Sequence, residues 1–213
     1  MISDAAFIIL GAGGHAKVLI EALLQSGAVI AGITEHDPAL VGTNILGVPV
    51  LGGDDVVNEY PPSEIRLVNG LGSVGLTVNR QQLFEKFKGM GYKFATVIHP
   101  SAAIASDVVL GEGAQIMAGV VIQPGSHIGI NSIINTRASV DHDCSIGDHV
   151  HIAPGVTMSG GVSVGAYSHI GTGATVIQGL SIGSGCLVAA GAVVTKNITD
   201  GTKVRGVPAQ EFI

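Results

Sequence analysis

From Ile98 to Val194 every sixth residue is aliphatic: Ile98, Ile104, Leu110, Ile116 and so on to Ile182, Val188 and Val194, seventeen positions without a break. Polar and small residues fill the gaps. A fixed hexapeptide period is the signature of a parallel β-helix, in which three hexapeptides make one triangular coil and successive coils stack about 4.8 Å apart. The aliphatic residue points inward. Two residues before it stand small or compact side chains that tuck into the corners: Ala114, Ser126, Ala138, Cys144, Ser168, Ala174, Cys186 and Ala192. Glycine often follows the aliphatic (Gly111, Gly129, Gly147, Gly165, Gly171, Gly183), where a corner is expected to need a positive φ. About five coils are predicted, with residues 197–213 as a cap or an excursion.

Residues 1–95 follow a different pattern. Phe7–Leu10 is a short apolar run that reads as a buried strand, followed by the turn Gly11-Ala12-Gly13-Gly14-His15. Ala16, Leu19, Ile20, Leu23 and Leu24 then recur at helical spacing over 16–26, and Gly27 is a natural stop. Strands are expected at Val29–Ile33, Val48–Leu51 and Ile65–Val68. A short helix is expected at Asp54–Tyr60 and an amphipathic one at Arg80–Met90. This β-α-β order predicts a small parallel sheet with right-handed crossovers. The domains expected are therefore 1–95, an α/β half domain of Rossmann type, and 96–213, an all-β parallel β-helix.

The composition narrows the function classes. Mean hydropathy is high, +0.52, but no run of about 18 apolar residues occurs, so no membrane insertion is expected. No signal peptide is visible, and a cytoplasmic location is expected. A net charge of −6 argues against nucleic acid as a partner. Cys144 and Cys186 are 42 residues apart, which is not a whole number of coils, so they read as free thiols.

Gly11-Ala12-Gly13-Gly14-His15-Ala16 fits G-x-G-x-x-A between a strand and a helix, a context suited to phosphate. Glu35, after the second strand, is placed to meet a ribose hydroxyl. The turn alone suggests NAD. A half-size sheet suits a single nucleotide diphosphate better, such as the handle of an activated sugar.

Among eight histidines (His15, His36, His99, His127, His142, His149, His151, His169), His142 stands out. It lies two residues past inward Val140, between Asp141 and Asp143, and 18 residues before Gly160 in the same column. A carboxylate fixes a histidine tautomer and raises its basicity. A stacked glycine offers close approach and an N–H for an oxyanion. His151 and His169 share another column. A zinc site of the γ-carbonic anhydrase type is a rival on this scaffold, but His142 and His151 differ by half a coil and cannot converge within one chain, so no metal is expected.

The glycine turn, the uninterrupted hexapeptides, Val140-Asp141-His142-Asp143-Cys144 and Gly206-Val207-Pro208-Ala209 together resemble the NeuD/PglD-type sugar acyltransferases. The resemblance implies a left-handed parallel β-helix, a homotrimer with acetyl-CoA in grooves between adjacent β-helices, and a nucleotide-activated amino sugar bound through the N-terminal domain. His142 matches the catalytic base, Asp143 the acid that orients it, and Gly160 a backbone donor. His151 matches a residue near the thioester, and Thr172 and Ala190 line the CoA groove. Gly13, Gly14, His15, Glu35, His36, Gly70 and Ser73 match the nucleotide-sugar side. The chain departs from the family at Glu35-His36, where relatives often carry paired acids. It departs again at Gln210, where a basic residue often stands. Lys196, Lys203 and Arg205 are alternative partners for the CoA phosphates. The acceptor expected first is a UDP-4-amino-4,6-dideoxy sugar of the bacillosamine type. GDP-perosamine N-acetylation, sialic acid O-acetylation and a non-catalytic trimeric scaffold are the alternatives.

Overall fold

The computed structural model describes residues 6–73, 75 and 78–212. They form two compact units. One comprises the residues up to Gly72 with Asn79–Pro100, and the other Ser73–Val78 with Ser101–Ile213. The boundary expected at 95/96 falls a few residues later. That Ser73 belongs with the second unit has no signal in the hydrophobic pattern.

In the first unit, β1 (Ala6–Leu10), β2 (Ile30–Thr34), β3 (Asn44–Ile45), β4 (Val48–Gly52) and β5 (Ile65–Asn69) form one sheet in the order β3-β4-β2-β1-β5. All neighbours run parallel except β3 and β4, an antiparallel hairpin that the sequence reading missed. Helix α1 (Gly14–Gln25) follows β1 and α2 (Val78–Gly89) follows β5. Ala16, Leu19, Ile20 and Leu23 are buried, as their spacing predicts. Leu24, expected on the same face, is 46% exposed, because each residue advances about 100° and carries it off the stripe. Ile8, Leu10 and Leu67 pack with Phe84, Phe87, Tyr92 and Phe94. The Tyr92 hydroxyl donates to the carbonyls of Val57 and Tyr60, which satisfies the one polar atom of this aromatic cluster. Leaving β1, the chain goes first to the β2 side and later to β5 on the other. The carboxyl ends of β1 and β5 therefore mark a topological switch point.

In the second unit, two-residue strands stack into three parallel sheets that make five coils. The aliphatic column is almost fully buried from Ile116 to Val194. Ile104 and Leu110, in the first coil, are half-buried. The chain closes the far end with Lys203–Arg205, parallel to Leu187–Val188, and Gln210–Glu211, antiparallel to it. The Val207–Pro208 bond is cis.

One sequence expectation fails here. The glycines that follow the aliphatic residue do not take positive φ. Left-handed backbone comes three residues after the aliphatic, at Gly113, Gly119, Gly125, Asn131, Arg137, Asp143, His149, Gly155, Gly161, Tyr167, Gly173, Gly179, Gly185 and Gly191. The glycine directly after the aliphatic serves close approach instead. A Cβ on Gly165 would stand 2.5 Å from the Ser184 nitrogen in the next coil.

Candidate active site

Val140 ends a two-residue strand pointing inward, and the chain turns through His142 and Asp143. Asp143 has φ +58°, a conformation that aspartate tolerates better than most residues. This turn folds the carboxylate back onto its own neighbour, and His142 Nδ1 lies 2.8 Å from Asp143 Oδ2. The His142 N–H donates to Asp141 Oδ1 at 2.8 Å. The Gly161 N–H, one coil on, donates to the His142 carbonyl at 2.8 Å. The hydrogen bond to Asp143 raises the His142 pKa above its ordinary value; the charges of Asp141 and Asp143 add to this, and desolvation opposes it. With Nδ1 engaged, Nε2 is the nitrogen left to take a proton.

Gly160 stacks on this ring. A Cβ there would lie 2.5 Å from His142 Nε2 and Cε1, so no other residue leaves the imidazole in place. Among the described residues the Gly160 N–H has no backbone acceptor. A shallow hollow lined by Gln123, Ser139, Asp141, Thr157 and Ser159 adjoins this turn. Cys144 is buried, its thiol donates to the Ser159 carbonyl, and burial pushes its pKa up. It is therefore no nucleophile.

His151 lies on a different face of the β-helix and pairs in register with His169. Both are buried, and their rings meet edge to face at 4.9 Å. His151 Nδ1 is 2.7 Å from Ser73 Oγ, and Nε2 is 3.1 Å from Asn135 Nδ2. Asn135 was not singled out from sequence; it lies one coil minus two residues before His151, a spacing that only the stacked coils bring together. Thr172 and Ala190 share an exposed column, tied by the bond from the Gly191 N–H to the Thr172 carbonyl. Lys196, Lys203 and Arg205 are exposed on the cap, with Arg205 over the Phe212 ring. Among the described residues no three histidine, cysteine or acidic side chains are grouped to hold a metal ion.

At the switch point of the first unit lies a cleft of about 470 Å³. Gly11, Ala12, Gly13, Thr34, Glu35, His36, Asp54 and Leu71 line it, with Asn79, Gln82, Leu83 and Lys86 of α2. Glu35 Oε2 accepts from the Ala12 N–H at 3.2 Å, and Oε1 from the His36 and Asp37 N–H groups. Asp54 accepts from the Thr34 hydroxyl and lies 3.4 Å from His36 Nε2. Gly13 caps α1, and Gly14 and His15 form its first turn, the helix end that favours an anion. Gly70 has a backbone role: a Cβ there would collide with the carbonyls of Leu10 and Gly11. Ser73 is on His151 and does not line this cleft. The α2 wall, Lys86 included, carried no motif and was invisible in the sequence.

Residues 6–87 match the family model of the PglD N-terminal domain, and 125–160 that of the bacterial transferase hexapeptide (six repeats). The fold is similar to a GDP-perosamine N-acetyltransferase of Caulobacter crescentus solved with CoA and GDP-perosamine. Identity is 40%, coverage is 100% of this chain and 99% of that one, and the TM-score is 0.91. It is also similar to the acetyltransferase domain of PglB from Neisseria gonorrhoeae in complex with acetyl coenzyme A. There identity is 36%, coverage is 99% and 100%, and the TM-score is 0.90. A GDP-perosamine N-acetyltransferase of Escherichia coli O157:H7 is 38% identical over 81 residues, which span 38% of this chain and 37% of that protein. Among the described residues no helix is long and apolar enough to cross a membrane.

Proposed function

Because the chain belongs to the NeuD/PglD-type hexapeptide-repeat sugar acyltransferases, we propose that it moves acetyl from acetyl-CoA to the 4-amino group of a GDP-linked, perosamine-type sugar. The observation that carries the reading is the His142–Asp143 pair at 2.8 Å with Gly160 stacked against the ring. That arrangement is a base, its orienting acid and a backbone donor within one column.

In this reading the sugar amine attacks the thioester carbonyl. A C–N bond forms and the C–S bond breaks. His142 Nε2 takes the proton that the amine sheds, and Asp143 stabilises the resulting imidazolium. The Gly160 N–H faces the negative charge developing on the carbonyl oxygen. The proton held on His142 then neutralises the departing thiolate. Thr172 and Ala190 line the path of CoA, with His151 near its acetyl end. The cleft at Gly13, Gly14, His15, Glu35 and His36 takes the nucleotide handle. The working form is a homotrimer in the cytoplasm, where acetyl-CoA is made and used.

The GDP handle replaces the UDP-4-amino-dideoxy sugar placed first on sequence. Its support is that the Caulobacter and Escherichia relatives are both GDP-perosamine enzymes. CoA-thiol release should be measured against GDP-, UDP- and dTDP-linked 4-amino sugars and a free sialic acid. Fast release with the GDP-amino sugar is expected. Release only with a UDP-sugar would restore the first acceptor, and silence across the panel would leave a non-catalytic scaffold.

A further inference from the structure

The hydrogen bonds around His151 have a direction that can be worked out. On one edge, Nδ1 lies 2.7 Å from Ser73 Oγ and 3.1 Å from the Ser73 carbonyl oxygen. A carbonyl oxygen only accepts, so Nδ1 carries the proton. On the other edge, Nε2 lies 3.1 Å from Asn135 Nδ2. The orientation of that amide is set independently. Asn135 Oδ1 accepts from the Thr136 N–H at 2.8 Å and from the Thr136 hydroxyl at 3.3 Å, so the NH2 faces the ring. An amide NH2 only donates, and Nε2 must therefore be a bare lone pair. Both edges give the same neutral tautomer, and each would be frustrated by the other one. With the proton on Nε2, two donors would face each other across 3.1 Å, and Nδ1 would face a carbonyl lone pair.

We propose that Ser73 is a positioning residue: its carbonyl, with the Asn135 amide, sets the Nδ1–H tautomer of His151, and its hydroxyl holds the ring in place, so that the acetyl-donor site keeps a fixed acceptor at Nε2 with the Asn135 amide turned toward it. What binds there rests on the function proposed above; the tautomer does not. Ser73 supplies the shorter of the two contacts through its hydroxyl. Removing the hydroxyl takes away the shorter contact and leaves the carbonyl at 3.1 Å. The carbonyl and the Asn135 amide still fix the tautomer, but the ring is held less firmly in its orientation. His151 acts through orientation here and needs no proton of its own in the transfer.

The test uses the full-length protein labelled with 15N-histidine, without substrate, with the His151 signals assigned through a His151→Gln variant. The wild type is expected to show a single Nδ1–H tautomer at neutral pH. Ser73→Ala should keep that tautomer and raise the KM for acetyl-CoA roughly 3- to 10-fold, the worth of one hydrogen bond. Its kcat should stay within about twofold, as for a ground-state binding effect. Ser73→Thr, which keeps the hydroxyl, should restore the KM. A proton on Nε2 in the wild type overturns the tautomer. An unchanged KM in Ser73→Ala overturns the positioning role, whatever its spectrum. Should Ser73→Ala fail to fold, the wild type and Ser73→Thr still decide the tautomer. An enzyme silent with every nucleotide sugar would sink the proposed function while leaving the spectrum to decide His151.

Discussion

Gly160 and His142 occupy the same space in adjacent coils: the Cβ that Gly160 lacks would stand 2.5 Å from the imidazole Nε2. The ring lies against bare backbone of the next coil, with no side chain between the two. Gly160→Ala should therefore push the imidazole aside while leaving the coil intact. A displacement near 1 Å costs on the order of 10²-fold in rate. Steady-state kinetics should show this loss in kcat with little change in melting temperature; a variant with wild-type kcat would show that the ring tolerates the shift.

His142→Ala should lower turnover by roughly 10² to 10⁴, the usual worth of a general base, and leave the dissociation constant of acetyl-CoA unchanged. Asp143 acts through His142, so the double variant with Asp143→Asn should be little slower than His142→Ala alone. Calorimetry and a double-mutant cycle check both points. Fully additive losses would separate the two residues.

The base works only when Nε2 is free of its proton. The hydrogen bond to Asp143 raises the His142 pKa, so activity should rise with pH through an inflection above the ordinary histidine value of about 6.5. Asp143→Asn should move that inflection down. For stability, a raised folded pKa favours the fold below the unfolded value. The gain disappears as pH rises through the folded pKa. It should be small, because both side chains are more than half exposed and water screens the pair. A pH–rate profile that keeps its midpoint in Asp143→Asn would remove the carboxylate from this role.

Two kinds of glycine should respond differently in the β-helix. Gly165→Ala drives a Cβ to 2.5 Å from the Ser184 nitrogen and should cost roughly 1–3 kcal/mol by overpacking. Gly173 has φ +67° and open space around it, so Gly173→Ala should cost about 1–2 kcal/mol by backbone strain alone. Asn tolerates that backbone, so Gly173→Asn should recover most of the loss, whereas Gly165→Asn should recover none. Urea denaturation midpoints distinguish them, and equal behaviour of the two asparagine variants would refute the distinction.

Glu35→Ala should weaken binding of the nucleotide handle roughly 10- to 100-fold, the range for hydrogen bonds to a charged group, with the KM for acetyl-CoA within about twofold. Glu35 also braces the Ala12, His36 and Asp37 amides, so Glu35→Gln is the control, expected to fall between. Titration with GDP measures the effect. Unchanged affinity would move the handle off this acid.

The hydrophobic period was enough to decide both architectures. A six-residue repeat has one way to bury its aliphatic column, and the buried run from Ile116 to Val194 follows it. Candidate chemistry was legible where neighbours in space are a fixed sequence distance apart. His142 and Asp143 are adjacent, and Gly160 is one 18-residue coil on, so the β-helix register alone brings them together. The place of left-handed backbone was misjudged, because glycine after the aliphatic serves contact between coils and not torsion.

Tertiary structure decided what register and period do not encode. That Glu35 spends its carboxylate on the Ala12 amide, that α2 closes the cleft with Gln82 and Lys86, and that Ser73 reaches His151 across 78 residues depend on where loops and helices land. Periodicity is a local property, repeated along the chain. The direction of a side chain across a long separation is set by packing, and only the folded molecule supplies it.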